Sequence, residues 1–285
     1  MIKSPSIDKN AFRDMLELMR KKAWLETKEE EIMYLWELCD STEQRELLKE
    51  LMLEIYVLGN VEEEQAAIAI NDYIHSIPLL PQNTWIVSVA DVGKLDGSLS
   101  GMQILRQKIK PTLDWQPRYI SHIPEVATKL QDGDNIILFD DFLGSGDKFL
   151  KKLKWLQDTA NKVPNLNVAS LSIHFISFAG MKFGISRLGS KKHNVFVFKE
   201  LHKGISERND SDDTKKKLAT MLQLESRLSP SCNNRALSDY SFGYKKSESL
   251  YYWRNNSCPN NVFPIFWWEK LCFDKEHEPL ITRAD

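Results

Sequence analysis

The chain has 285 residues, 42% of them hydrophobic, with 38 Lys and Arg against 40 Asp and Glu and a formal net charge of −2. That length and apolar content suit two domains, or one large domain with an extension, and exclude a disordered or collagen-like chain. The near-neutral balance argues against a broad nucleic-acid-binding surface, and no strong direct nucleic-acid signal stands out. No run approaches the roughly 18 apolar residues needed to span a membrane, and the start, MIKSPSIDKNAFRDM, lacks an apolar signal-peptide core. The expectation is a soluble cytoplasmic protein. Cys39, Cys232, Cys258 and Cys272 form no CxxC pair and fit no zinc spacing, so they read as free thiols.

Residues 9 to 77 read as helical. Phe12, Met15, Leu16, Met19 and Ala23 recur at helical spacing. Ile32, Leu35, Trp36 and Cys39 do the same behind the capping-box pattern Thr27-x-x-Glu30. Ser41-x-x-Gln44 opens a third helix carrying Leu47, Leu48, Leu51, Ile55 and Leu58, which Gly59-Asn60 stops. A fourth runs through Ala66, Ala67, Ile70 and Ile74 and ends before Pro78. The pattern changes at Pro78-Leu-Leu-Pro81. Beyond it, strand-like runs at 85–90, 118–121, 135–139, 168–178 and 194–198 alternate with amphipathic stretches at 100–110 and 148–156. That alternation predicts βαβ units and a parallel sheet. The expected organisation is a helical extension over 1–80 and an α/β domain over 81–285. Near the C-terminus, Tyr251-Tyr-Trp253 and Trp267-Trp268 read as packed core aromatics.

The sharpest feature is Asn135-Ile-Ile-Leu-Phe-Asp140-Asp141-Phe-Leu-Gly144-Ser145-Gly146-Asp147-Lys148-Phe149. Two carboxylates stand at the end of a buried strand, a Gly-Ser-Gly loop follows, and then a helix begins. Ligands of open α/β sheets bind at that edge. Gly144 and Gly146 permit tight turns and a close ligand approach. The amides of Ser145 to Phe149 suit a phosphate at a helix N-terminus. Asp140 and Asp141 can accept hydrogen bonds from a vicinal diol or hold a hydrated Mg2+. A coincidental acidic pair ending a Rossmann-like strand is the competing reading. A second loop also joins a strand to a helix: Asp91-Val-Gly93-Lys94-Leu-Asp96-Gly97-Ser98. Its glycines, single lysine and hydroxyls suit a phosphate or pyrophosphate. An ordinary polar βα loop is the alternative there.

The first stretch resembles the ribose-5-phosphate-binding motif of type I phosphoribosyltransferases. The resemblance implies a phosphoribosyltransferase-like parallel-sheet core. Asp140 and Asp141 would hold the 2′- and 3′-hydroxyls of phosphoribosyl pyrophosphate, and Gly144, Ser145, Gly146, Asp147 and Lys148 would wrap its 5′-phosphate. Gly93, Lys94, Asp96, Gly97 and Ser98 take the place of the family's pyrophosphate loop, with Lys94 and Mg2+ stabilising the leaving pyrophosphate. Two positions depart from the pattern. Gly144 stands where some purine-salvage members carry an acidic general base. Lys148 replaces a small hydroxyl residue and adds a positive charge beside the phosphate. Pro259-Asn260-Asn261-Val-Phe-Pro264-Ile-Phe-Trp267 is similar to the closing segment of phosphoribosyltransferase-like domains of bacterial conflict systems, such as retron-associated effectors. That likeness implies a toxin effector in antiphage defence, beside a partner such as a reverse transcriptase. Three other functions stay open: a catalytically silent nucleotide sensor, a partner-binding scaffold built on helices 9–77, and hydrolysis of an N-glycosidic bond.

Overall fold

The structure is a computed structural model that describes residues 8–91, 97–207, 211–254 and 256–283. The helices in chain order are α1 (Lys9–Lys21), α2 (Glu29–Glu37), α3 (Thr42–Glu54), α4 (Asn60–Ser76), α5 (Gly97–Lys108), α6 (Thr112–Trp115), α7 (Ile123–Ala127), α8 (Asp147–Ala160), α9 (Lys182–Ser190) and α10 (Ser211–Glu225). Five strands, β1 (Thr84–Ser88), β2 (Tyr119–Ile120), β3 (Asn135–Leu143), β4 (Ser172–Met181) and β5 (Asn194–Leu201), form one all-parallel sheet in the order β2-β1-β3-β4-β5. The expected α/β class and parallel sheet are therefore present. Among the described residues no helix is long and apolar enough to cross a membrane.

The contacts divide the chain into two compact units, one built from Leu58–His202 and Trp253–Ser257, the other from Met1–Val57, Lys203–Tyr252 and Cys258–Ala284. This differs from a division at 80/81. Helix α4 groups with the sheet because Tyr73 stacks on Phe196 of β5, with ring centroids 4.4 Å apart. The C-terminal aromatics group with α1–α3 because Leu18, Leu35, Leu48, Phe263 and Trp267 share one core.

In the α/β unit, Ile136 to Phe139 of β3 are at most 1% exposed. An unbroken apolar run of this kind marks a parallel strand covered on both faces. On one face, Phe149, Leu153 and Leu156 of α8 share a core with Val87, Leu138 and Phe175. On the other, α5 sits on Phe139 and Phe178, whose rings meet edge-on at 5.1 Å. Gly97 and Gly101, one helical turn apart, make that approach so close that a Cβ at Gly101 would lie 2.6 Å from Phe139. The chain leaves β1 for β2 on one side and returns to β3 on the other, so the topological switch point falls between β1 and β3. Ser88 is in register with Phe139, and the segments leaving these two strands emerge side by side at the carboxyl edge.

In the other unit the C-terminal aromatics pack as expected. Trp267 and Trp268 are at most 2% exposed, and their indole N–H groups donate to the carbonyls of Val262 (2.9 Å) and Ser229 (3.0 Å). Asn261 Nδ2 donates to Ser247 Oγ at 3.1 Å and fixes the turn before them. Two local expectations fail. Helix α3 ends at Glu54, and Tyr56–Leu58 is a short strand. An aromatic and a β-branched residue favour extended backbone, and the Leu250 carbonyl accepts from Tyr56 N at 3.0 Å. Helix α2 takes Lys28 rather than Thr27 as its N-cap, with no side-chain cap bond. Glu29, Glu30 and Glu31 in its first turn favour the helix dipole instead.

The glycines give a paired test. Gly101→Val should destabilise by about 1–3 kcal/mol through overpacking against Phe139. Gly189→Ala, where a Cβ meets nothing within 4 Å, should stabilise by about 0.5–1 kcal/mol through helix propensity. Urea denaturation of the two variants checks both signs.

Candidate functional site

Strand alternation sets the geometry of the acidic pair, because successive side chains of β3 point to opposite faces. Asp140 lies on the α8 side and is 2% exposed. Its Oδ1 accepts from Lys148 Nζ at 3.0 Å and from the Asp141 amide at 3.1 Å. Asp141 lies on the α5 side, where a Cβ built on Gly97 would sit 2.5 Å from its Cγ. The two carboxylates thus lie on opposite faces of β3, within a strand that runs on to Leu143.

The Gly-Ser-Gly loop is held from several directions. Gly146 has φ +81° and stands immediately before α8. This is the left-handed region, which costs an L-residue roughly 1–2 kcal/mol and a glycine almost nothing. Ser145 is 7% exposed, and its Oγ accepts from the Asp147 amide at 3.3 Å. Arg187 of α9 donates from Nη1 to the Ser145 carbonyl at 2.8 Å and to Asp147 Oδ1 at 2.5 Å. Gly184 lets α9 come in underneath, since a Cβ there would lie 2.0 Å from the Gly144 carbonyl oxygen. The first-turn amides of α8 have no acceptor within the helix, and the positive end of its dipole faces the loop. Asp147 places a negative charge at that end, and Arg187 offsets it.

Of the second loop, Gly93, Lys94 and Asp96 lie outside the described residues. Gly97 opens α5 against Asp141. Ser98 is fully buried, with its Oγ 2.7 Å from Ser88 Oγ, and so anchors α5 to the end of β1.

Sequence reasoning missed Arg187, Gly184 and Lys152. Nothing in the local sequence marks α9, whose two glycines weaken its helical signal. Lys152 did leave a trace. It follows Lys148 by one helical turn and sits between the core residues Phe149, Leu153 and Leu156, where a lysine needs a partner. It is 3% exposed, and its Nζ donates to Asp91 Oδ1 at 2.6 Å and to the Ala90 carbonyl at 3.2 Å. Lys152 therefore ties α8 to the segment leaving β1, joining the two loops.

Chemically the edge offers carboxylates that can accept from hydroxyls, and an anion-attracting helix start with fixed cationic neighbours. Among the described residues no three His, Cys, Asp or Glu side chains gather into a metal site. The split of Asp140 and Asp141 across two faces does not fit a Mg2+ chelated by both. It fits a cation held through one carboxylate and a ligand's own oxygens, as Mg2+ commonly is.

A family model described as PRTase-CE matches residues 22–283 of the chain. Among solved structures, the chain is similar to orotate phosphoribosyltransferase from Aeropyrum pernix, at 12% identity over 48% of this chain and 69% of that one, with TM-score 0.29. It is also similar to a Helicobacter pylori xanthine-guanine-hypoxanthine phosphoribosyltransferase, at 12% identity over 52% and 85%, with TM-score 0.33. A third is hypoxanthine-guanine phosphoribosyltransferase from Schistosoma mansoni in complex with IMP, at 12% identity over 50% and 62%, with TM-score 0.27. No curated protein matches the chain.

Lys152→Met keeps the side-chain volume and removes the tie. The Asp91 side chain is 54% exposed, so water can take over that carboxylate. The Ala90 carbonyl, at 1% residue exposure, loses a donor. The expected loss is about 1–3 kcal/mol, with faster hydrogen exchange in the segment leaving β1. Denaturation and exchange mass spectrometry read the two effects.

Proposed function

This chain belongs to the PRTase-CE family, and on that premise we propose that it binds phosphoribosyl pyrophosphate or a nucleotide at the Asp140–Lys148 edge and acts at the anomeric carbon of the ribose. Asp140 and Asp141 accept from the 2′- and 3′-hydroxyls, approaching the sugar from the two sides of the strand end. Gly144, Ser145, Gly146, Asp147 and Lys148 form the 5′-phosphate cradle at the start of α8. Gly93, Lys94, Asp96, Gly97 and Ser98 belong to the pyrophosphate side of the same proposal, Ser98 by anchoring α5. In the reaction the bond from the anomeric carbon to pyrophosphate breaks as an acceptor's bond forms, and positive charge develops on the ring. On this reading the two carboxylates stabilise that charge. Mg2+, when bound, supplies charge neutralisation to the leaving pyrophosphate.

One observation carries the reading. The acidic strand end, the left-handed Gly146 and the start of α8 coincide at the switch point between β1 and β3, in a chain of this family. The ion pair of Lys148 with Asp140 favours a second reading, since it occupies a carboxylate that a ribose diol would use. Under that reading the pocket binds its nucleotide without turnover and acts as a sensor. The likeness of the Pro259–Trp267 segment supports a role as a toxin effector in antiphage defence, restrained by a partner protein such as a reverse transcriptase.

Asp140→Asn with Asp141→Asn removes two charges at nearly constant volume. Each lost charge-assisted hydrogen bond costs about 1.5–3 kcal/mol, so affinity for phosphoribosyl pyrophosphate should fall well over tenfold. Calorimetric titration in Mg2+ buffer measures it. A folded double variant with unchanged affinity would remove this edge from the ligand site.

A further inference from the structure

A cavity of about 380 Å3 lies between α5 and the carboxyl end of β2. That volume is at the low end of the range for small-molecule pockets. Its walls come from two sources. Residues Leu99, Met102, Gln103 and Arg106 recur along one face of α5, and Tyr119 and Ser121 come from β2 and the residue after it. Ser100 completes the helix side. This face is distinct from the one that carries Gly97 and Gly101 onto Asp141 and Phe139.

The lining has a clear chemical bias. Among the described residues it holds a guanidinium, a carboxamide and three hydroxyls, and no carboxylate. The Arg106 guanidinium takes no carboxylate partner among the described residues. The Tyr119 hydroxyl is shielded from solvent and has no hydrogen-bond partner among the described residues. An unmet buried hydroxyl costs about 1–3 kcal/mol. Tyr119 is itself among the residues that line the cavity. Burial pushes the Tyr119 phenol pKa up, and the Arg106 charge pulls it part of the way back; both residues line the same cavity. Leu99 and Met102 supply an apolar wall that suits a flat ring, and Gln103 can pair with a ring edge carrying both donors and acceptors.

We propose that this cavity binds a small anion carrying a flat heterocycle, the chemical class of nucleoside monophosphates, with its phosphate on Arg106 and Tyr119, and that occupancy is transmitted through α5 to Asp141. The transmitting element is short and stiff. Nine residues of helix, about 14 Å, separate Arg106 from Gly97. Gly97 touches the Asp141 carboxylate, so a shift of α5 by a few tenths of an ångström moves that contact. The binding half stands on the cavity alone. The regulatory half rests on the proposed role of Asp141.

The test uses GMP, AMP and UMP as probes, titrated calorimetrically into the full chain. In the Asp140→Asn, Asp141→Asn background at least one probe should bind, and adding Arg106→Leu should weaken it tenfold or more. Failure of all three probes to bind that background, or unchanged affinity after Arg106→Leu, overturns the site. Hydrogen exchange of the wild-type chain with saturating probe gives a readout free of variants. Protection at 99–106 and 119–121 is expected, and protection confined to 140–149 contradicts it. Arg106→Leu alone should leave affinity for phosphoribosyl pyrophosphate intact while abolishing its dependence on the probe. If the probe never alters that affinity in the wild type, the transmission is refuted. A wild type that binds the probe at the cavity but no phosphoribosyl pyrophosphate would count against the Asp140–Lys148 reading and leave the cavity standing.

Discussion

Asp140 is a carboxylate at 2% exposure inside a parallel sheet, and keeping it there dictates much of its surroundings. An unpaired charge so placed would cost several kcal/mol. Lys148 supplies the partner, from the first turn of α8. For Lys148 to reach back, the chain must reverse within a few residues of the end of β3. That demand explains the left-handed Gly146. It also explains why α9 presses so closely beneath, through Gly184 and Arg187. The ion pair, the loop and the buttress form one arrangement.

The second face of β3 is governed by a different constraint, close approach. Gly97 and Gly101 bring α5 against Asp141 and Phe139, and the Ser88–Ser98 contact holds its start in place. Lys152 then links the two faces through the segment that leaves β1. The two adjacent carboxylates are therefore divided between the faces of the strand, Asp140 beside Lys148 of α8 and Asp141 beside Gly97 of α5.

Much of this was legible in the sequence. The buried run Asn135–Phe139, the change of period at Pro78 and the acidic pair before Gly-Ser-Gly gave the sheet, the edge and the loop. The boundary of the units was not legible, because it depends on contacts between α1–α3 and aromatics more than two hundred residues away, and no periodicity encodes such pairing. Tyr56–Leu58 reads as helix by apolar spacing but extends because Leu250 offers an acceptor. Helix α9 was invisible behind its glycines, although one of those glycines is what allows it to support the loop. Lys152 was present as a lysine on a core face, and its burial could have been inferred from that position.

The central claim is that the end of β3 and the start of α8 hold a ribose 5-phosphate. A crystal structure of the chain with phosphoribosyl pyrophosphate and Mg2+ tests it most directly. The account predicts the 5′-phosphate over the amides of Ser145 to Phe149, with the ribose hydroxyls on Asp140 and Asp141 and Lys148 shifted from its present partner toward the phosphate. Ligand density elsewhere, with the Lys148–Asp140 pair undisturbed and the loop empty, would contradict it.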